Sequence, residues 1–430
     1  MASTPPPRPL TEPVPAAPRV DDATDVAALA AALGSARVEV DLDALVGNYQ
    51  RLAELVSPAR IGVVVKADAY GHGVRRVVLT LEAAGAHLAA VARVEEGVGL
   101  RQAGARLPVL VLGGVEPAQV PLFARHDLTA CLFSREQLAV WTAALAGDGP
   151  EQPVHLKVDT GMSRLGFAPD EVSWALEVVR RHPRLVLAGF MSHFGDAELD
   201  SPRNPAQESR FDDLLELLTD DERRSALVHF ANSAAGLHRP ASRFDLVRFG
   251  IAIYGIDPAE KLTDLEPVMS LVAPVTQIRE VEAGTAAGYG SRWVAERRSR
   301  LAVVPVGYGD GYPWRLSHGA EALVGGRRVP LAGAVSMDLT IVDVTGLEVT
   351  GAGAEVGDEV VLLGRQGGET ITAGELAERS GTIRWEITCS LGLRLPRRYL
   401  QGGELVGVVS RHVDSDVDSN RAPNRTGSTP

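Results

Sequence analysis

The chain has 430 residues, 45% hydrophobic and 23% charged, enough to bury more than one core, so two domains are expected. A formal net charge of −12 and a pI near 5.4, with arginines scattered rather than striped, argue against a nucleic-acid partner. Two cysteines, Cys131 and Cys389, stand far apart without a C-x-x-C or histidine cluster, which argues against a disulfide framework or structural zinc and fits a reducing cytoplasm.

The opening "MASTPPPRPLTEPVPAAPRVDD" is too proline-rich for a signal peptide and reads as a disordered extension over 1–22. No apolar run reaches membrane-spanning length. An early strand is expected at 36–45, and a barrel domain at 46–265. Between Ile61 and Gly255 the runs "IGVVVKA", "HLAAVARV", "LPVLVLGG", "LTACLF", "VHLKVDTG", "LVLAGFMSHF", "LVHFANS" and "DLVRFGIAIYG" are apolar nearly throughout, as parallel strands covered by helices should be. The intervening segments, such as "GVRRVVLTLEAAGA" and "SREQLAVWTAALAG", carry apolar residues at helical spacing. These β/α units predict an α/β fold with a closed (β/α)8 barrel of TIM type. A doubly wound sheet is the alternative, disfavoured by the absence of a G-x-G-x-x-G turn.

From Glu266 the texture turns β-rich: "VMSLVAPVTQIREV", "RLAVVPVGYG", "LTIVDVT", "DEVVLLG", "LRLPRRYL" and "ELVGVVS" predict a second, mainly β domain over 266–410, which the early strand joins. One helix interrupts it at "ITAGELAERSG", with Thr372 and Glu375 at capping-box spacing and Gly381 as its stop. The polar, aperiodic end, 411–430, reads as a disordered tail.

Lysine is scarce: the 43 Lys+Arg include only Lys66, Lys157 and Lys261. Arginine keeps its proton near neutrality, whereas a partly buried lysine shifts its pKa and serves as imine former or general base. Lys261, in polar surroundings, reads as a surface residue. Lys66 ends the first barrel run, and Lys66, Asp159, His193, Asn232, Ser233 and Arg248 all fall at C-terminal ends of predicted strands, the catalytic rim of a barrel. There the Lys66 amine has the geometry to meet an aldehyde cofactor. Backbone N–H groups at Gly250 and Ile251, with the Ser233 hydroxyl, form a candidate phosphate cradle.

The motifs "VVVKADAYGHG", "HLKVDTGMSRLGF", "MSHF", "ANSAA", "VRFGIAIYG", "AGYGSRW", "VGYGDGYPWR" and "SMD", in this order between about Ala36 and Val408, resemble those of bacterial alanine racemases. The resemblance implies pyridoxal 5'-phosphate as cofactor, with Lys66 as its Schiff-base lysine. Lys66 and Tyr289 become the two acid/base groups, Tyr289 reaching the site from a partner subunit in a homodimer. Tyr70, Ser233, Gly250 and Ile251, with Asn232 beside them, would hold the cofactor's phosphate end, and Arg248 would face its pyridine nitrogen. Arg164 and the backbone at Met337 would receive the substrate carboxylate, His193 would pack by the cofactor ring and orient Tyr289, and Tyr308 and Asp338 would line the entry from the partner subunit. Lys157 corresponds to a position that carries a carbamate in many family members; taken alone, it would pair with Asp159 or a neighbouring acid. The implied activity is interconversion of L- and D-alanine, supplying D-alanine for peptidoglycan, with no metal, nucleic acid or membrane involved.

The residue types suit such chemistry. Racemisation removes a proton from one face and returns one to the other, so two groups on opposite faces are economical. An amine and a phenol, with reference pKa values of about 10.4 and 10, call for cationic neighbours such as Arg248. Because a guanidinium stays protonated, Arg248 would leave the ring a weak electron sink and favour quick reprotonation.

The chain departs from the pattern at Leu393, where a tyrosine is common, at Ala334, where arginine is usual, and in "FGDAE" after "HF". These changes leave open a preference for serine or a broader amino-acid range. A non-catalytic pyridoxal-phosphate carrier and a fold-related decarboxylase are the remaining alternatives, the first disfavoured by the second domain and Tyr289, the second by the motif set.

Overall fold

The computed structural model describes residues 23–32, 36–262, 264–350, 353–410 and 413–416. The N-terminal extension expected over 1–22 lies outside them.

Strand β1 (Arg37–Asp41) is cut short by its last residue. The Asp41 carboxylate accepts from the Ala44 N–H at 2.9 Å and caps a helix, Leu42–Val56, that buries Leu42, Leu45, Tyr49, Leu52 and Val56. The early strand expected at 36–45 therefore ends at Asp41, where the apolar spacing becomes helical.

The eight apolar runs become β2 (Arg60–Val64), β3 (Leu88–Val91), β4 (Val109–Val111), β5 (Leu128–Leu132), β6 (Gln152–Lys157), β7 (Leu185–Met191), β8 (Leu227–His229) and β9 (Leu246–Phe249). They form one eight-stranded sheet in which neighbours in sequence are parallel neighbours in space and β9 returns to β2. Between β8 and β9 no ladder forms, but Asp245 N–H donates to Val228 O at 3.0 Å and Arg248 N–H to Ala231 O at 3.1 Å. The barrel is thus nearly closed. Covering helices such as Val172–Arg181 turn Val172, Ala175, Leu176 and Val179 inward.

The run "VMSLVAPVTQIREV" divides between two sheets. Val275 N–H bonds Asp358 O and Thr276 N–H bonds Val303 O, both at 2.8 Å, so adjacent residues are claimed by different partners. Met269–Pro274 joins a nine-stranded sheet with β1 at its middle, and Gln277–Val281 joins a three-stranded one with Ser299–Val304 and Thr340–Asp343. In the helix Ala373–Ser380, Thr372 Oγ1 accepts from Glu375 N–H at 3.1 Å and Gly381 stops the helix at φ +69°. The reciprocal half of the capping box is missing, because the Glu375 carboxylate takes Arg328 at 2.8 and 3.0 Å. A second helix, Arg384–Ser390, follows it and was not anticipated. In the expected tail, Val413–Asp416 forms a strand antiparallel to Glu404–Ser410; 411–412 and 417–430 lie outside the described residues.

The two parts share one continuous apolar core. Asn48 pins the crossover between them, donating to Ile253 O at 3.1 Å and Glu266 O at 2.8 Å while accepting from Glu266 N–H at 2.8 Å. Among the described residues no helix is long and apolar enough to cross a membrane.

Candidate active site

Lys66 opens a tight turn at the C-terminal end of β2. Ala67, Asp68, Ala69 and Tyr70 all take φ of 52–54°, a single left-handed helical turn closed by Gly71 at +83°. For residues with a Cβ this conformation costs roughly 1–2 kcal/mol each, so the surroundings must enforce it. Glu96 accepts from Ala67 N–H at 2.7 Å, and Asp68 Oδ1 from Val74 N–H at 2.8 Å. His72 Nδ1–H donates to Ala69 O at 2.9 Å and Tyr70 O at 3.1 Å. Buried Arg397 donates to Gly71 O at 3.2 and 3.1 Å and to the carbonyls of Leu391, Gly392 and Leu395, tying the turn to the β domain. Gly71 has to be glycine, since a Cβ there would also collide with the Thr388 carbonyl.

The turn faces a cavity of about 570 Å³ lined by Lys66, Tyr70, Lys157, Arg164, His193, Asn232, Ser233, Arg248, Gly250 and Ile251. Ten residues singled out from sequence are thus gathered in one place by β2, β6, β7, β8 and β9. At one end the Tyr70 hydroxyl comes so close to Gly250 that a Cβ would stand 2.5 Å from it. Ser233 Oγ accepts from Gly250 N–H at 3.0 Å, and Asn232 caps the short helix Ser233–His238 by accepting from Ala235 N–H at 3.0 Å. Two hydroxyls and a glycine turn converge there.

At the other end Arg248, 3% exposed, has only neutral acceptors around it. Nη1 donates to His229 Nδ1 at 2.8 Å and His229 O at 3.1 Å. Nη2 donates to Ser192 O at 2.8 Å, Phe230 O at 3.0 Å and His193 Nδ1 at 3.0 Å. Nε–H has no hydrogen-bond partner among the described residues. Burial without a carboxylate lowers this guanidinium to about 10, and burial plus the Arg248 charge holds His193 well below its ordinary range.

Burial, then Arg164, lowers the Lys66 amine. Lys157, 6% exposed, is lowered to about 8, by burial first and by Arg248 and Arg164 after it. The bland expectation of a Lys157–Asp159 pair is not met: Asp159 Oδ1 accepts instead from the N–H groups of Gly161, Met162 and Ser163 at 2.8, 2.9 and 3.1 Å. Among the described residues no carboxylate lies within ion-pair distance of Lys157.

Tyr289, Tyr308, Met337 and Asp338 lie elsewhere, on the β domain and outside this cavity. Tyr289, flanked by Gly288 and Gly290 in a short turn, is 77% exposed. Tyr308 N–H to Ser336 O at 3.0 Å and Gly309 N–H to Met337 O at 2.8 Å tie two loops together, and Asp338 pairs with exposed Arg394 at 2.7 Å. Trp314, Leu339 and Leu393 are exposed as well. Sequence reasoning missed Glu96, Arg397, His155 and His229. An acid opening the helix after β3 was a usable signal for Glu96; nothing distinguishes Arg397 among so many arginines.

Comparison with known proteins agrees with this geometry. The chain matches the alanine racemase N-terminal domain family over residues 40–258 and the alanine racemase C-terminal domain family over 268–399. It is 40% identical over 369 residues to the alanine racemase of a Nostoc species, covering 84% of this chain and 94% of that protein. It is 41% identical over 372 residues to that of Symbiobacterium thermophilum, covering 85% and 97%. Among solved structures, alanine racemase from Bacillus anthracis with bound L-Ala-P superposes with a TM-score of 0.80 at 34% identity, covering 88% and 98%. Alanine racemase from Bartonella henselae with covalently bound pyridoxal phosphate gives 0.78 at 31% identity, covering 85% and 100%.

Proposed function

The chain belongs to the alanine racemase family and is an isomerase, and from that premise we propose that it interconverts L- and D-alanine with pyridoxal 5'-phosphate, as a homodimer whose two sites are shared. The observation that carries the cofactor reading is Arg248: a buried guanidinium without a carboxylate, its Nε–H unpartnered among the described residues, on the wall of the cavity that also holds Lys66.

The residues fit the group. The Tyr70 and Ser233 hydroxyls and the Gly250–Ile251 turn suit a phosphate, Arg248 Nε–H suits a ring nitrogen that accepts, and the lowered Lys66 amine suits an aldehyde. When bound, pyridoxal phosphate supplies an aldehyde for the substrate amine and a ring that withdraws electrons from the α-carbon. Lys66 Nζ then holds or takes the proton on one face of that carbon, and Tyr289 Oη from the second copy acts on the other. His193 Nδ1 is occupied by Arg248, so its proton sits on Nε2 and is available to orient the incoming phenol. Arg164 and the backbone at Met337 receive the carboxylate, and Tyr308 and Asp338 line the mouth. The exposed Tyr289, Tyr308, Trp314, Met337 and Leu339 support a face that another subunit covers.

Lys157 is read as a carbamate. Lowered to about 8, its amine has a neutral fraction near physiological pH able to add CO₂, and the product would pair with Arg164 instead of repelling it. Density at Lys157 should extend beyond the amine by one planar group; a bare amine in bicarbonate-equilibrated crystals rejects this.

The setting proposed is the cytoplasm, with D-alanine going to peptidoglycan. The carrier and decarboxylase readings are set aside because the relatives are racemases. The test is borohydride reduction of the holoenzyme followed by peptide mapping, with racemisation assays over single L-amino acids. Label on Lys66 and alanine as best substrate, with serine turned over measurably, are expected. Label on Lys157 or Lys261, or a preference for a basic or aromatic amino acid, overturns the reading.

A further inference from the structure

Two histidines that line no part of the cavity form a chain behind Arg248. His229 Nδ1 stands 2.8 Å from Arg248 Nη1, and His229 Nε2 stands 2.8 Å from His155 Nδ1. A guanidinium only donates, so His229 Nδ1 is bare and its proton is on Nε2. That proton makes His155 Nδ1 an acceptor, which puts the His155 proton on Nε2 also. Every donor and acceptor is thereby assigned in one direction, from Arg248 to His229 to His155.

The fold gives up regularity to seat the last member. The pairing of β6 with β7 shifts register between Val154 and His155, where Ala188 of β7 is the extra residue, so that His155 comes to face Gly189. Opposite it stands Gly189, where any Cβ would run into the imidazole. Both rings are buried, His155 2% and His229 0% exposed.

We infer that His155 is a positioning residue, one that reinforces the tautomer Arg248 selects at His229, holds that ring in place, and through it sets the direction in which Arg248 presents its free Nε–H to the cavity. Donating from Nε2 enriches His229 Nδ1 in electron density and strengthens its bond to the guanidinium. Arg248 needs this because no carboxylate among the described residues holds it: its orientation rests on two imidazoles and three carbonyls. The inference deepens the proposed function and depends on Arg248 facing the cofactor ring.

The experiment uses two His155 variants of the full-length protein, with a third, at His229, for signal assignment. His155→Phe keeps a ring and removes the acceptor; His155→Gln keeps an oxygen able to accept. Histidine ring nitrogens are observed by ¹⁵N NMR in protein stripped of cofactor, with the His229 signals identified by their loss in His229→Gln. In the wild type both Nδ1 atoms should report as unprotonated; His155→Phe should displace the His229 pair and His155→Gln should retain it. In the holoenzyme His155→Phe should lower kcat for alanine about tenfold with KM within about twofold, and shift the cofactor's visible absorption maximum. His155→Gln should recover most of both. A folded His155→Phe with wild-type kcat, absorption and His229 signals makes His155 an ordinary core residue and ends the proposal. So does a wild-type spectrum with the proton on His155 Nδ1, which decides the matter even where His155→Phe does not fold. A wild type that neither binds pyridoxal phosphate nor racemises would sink the proposed function, while the ring-nitrogen measurement still judges the chain of histidines.

Discussion

The barrel rim and the exposed face of the β domain each carry part of the candidate chemistry, and they are built on opposite plans. Around Lys66 and Arg248 nearly every polar group is bonded within the same chain, from Glu96 on the strained turn to the histidines behind the guanidinium. Tyr289 makes no hydrogen bond among the described residues and stands 77% exposed. The rim is preorganised within one chain, whereas under the proposed dimer Tyr289 would act only once a second copy meets it. A fixed electrostatic frame and a group delivered by assembly are what the proposed two-base site requires.

The largest effect should come from separating the two halves. Lys66→Ala and Tyr289→Phe homodimers should each be nearly inactive. In a mixed two-fold dimer both defects fall in one site and the other is intact. Random reassortment makes about half the dimers mixed, so activity should return to roughly a quarter of wild type once mass spectrometry shows that subunits have exchanged. No recovery after demonstrated exchange would mean that both groups come from one chain.

Next in size is the seam between the two regions. Arg397→Met keeps the bulk but strips donors from Gly71, Leu391, Gly392 and Leu395, all beneath the strained turn. Leaving the Gly71, Leu391 and Leu395 carbonyls without these donors should cost about 3 kcal/mol or more in urea unfolding, and cofactor affinity should fall with it. An unchanged midpoint would show that the turn holds itself.

What could be read in advance follows the same division. The barrel was legible because covered parallel strands are apolar throughout, and Lys66 because lysine is so scarce. The left-handed turn was not: in "ADAY" only the aspartate tolerates positive φ readily, and the turn is held by neighbouring His72 and by Glu96 and Arg397 from more distant parts of the sequence. Long-range competition also split "VMSLVAPVTQIREV" between two sheets and drew Glu375 away from its cap to Arg328. The motifs point to Tyr289 as a site residue, yet one chain leaves it outside the cavity and 77% exposed, a placement that only the proposed dimer would bring to a site.

The rim should also show itself in acid. His72 is depressed to about 4 and His155 to about 3, and His193 and His229 lie well below their ordinary range, burial being the first cause in each. Unfolded, each protonates near 6.5, so below that pH the unfolded state binds more protons and stability falls. The loss begins at about pH 6.5 and continues toward the folded values, at up to about 1.4 kcal/mol per pH unit for each histidine. Urea midpoints should drop steeply from pH 6.5 to 5, and His155→Gln should flatten the slope by one histidine's share. A flat profile would mean that these rings are charged in the folded protein.

The smallest effect is expected where the β-domain face is altered in an isolated subunit. Tyr289→Ala removes no hydrogen bond made among the described residues and little buried area, so at dilutions where the protein is monomeric its unfolding free energy should stay within about 0.5 kcal/mol of wild type. The same change should raise the dissociation constant of the proposed dimer measured by sedimentation, because aromatic groups in an interface carry a disproportionate share of binding. Stability and assembly would then respond separately to one side chain, which cannot happen for Arg397, whose bonds lie within its own chain. If Tyr289→Ala instead destabilised the monomer by 2 kcal/mol or more, on the order of a core truncation, the phenol would be holding its own domain together, and the contrast between a finished rim and a waiting face would fail at its sharpest point.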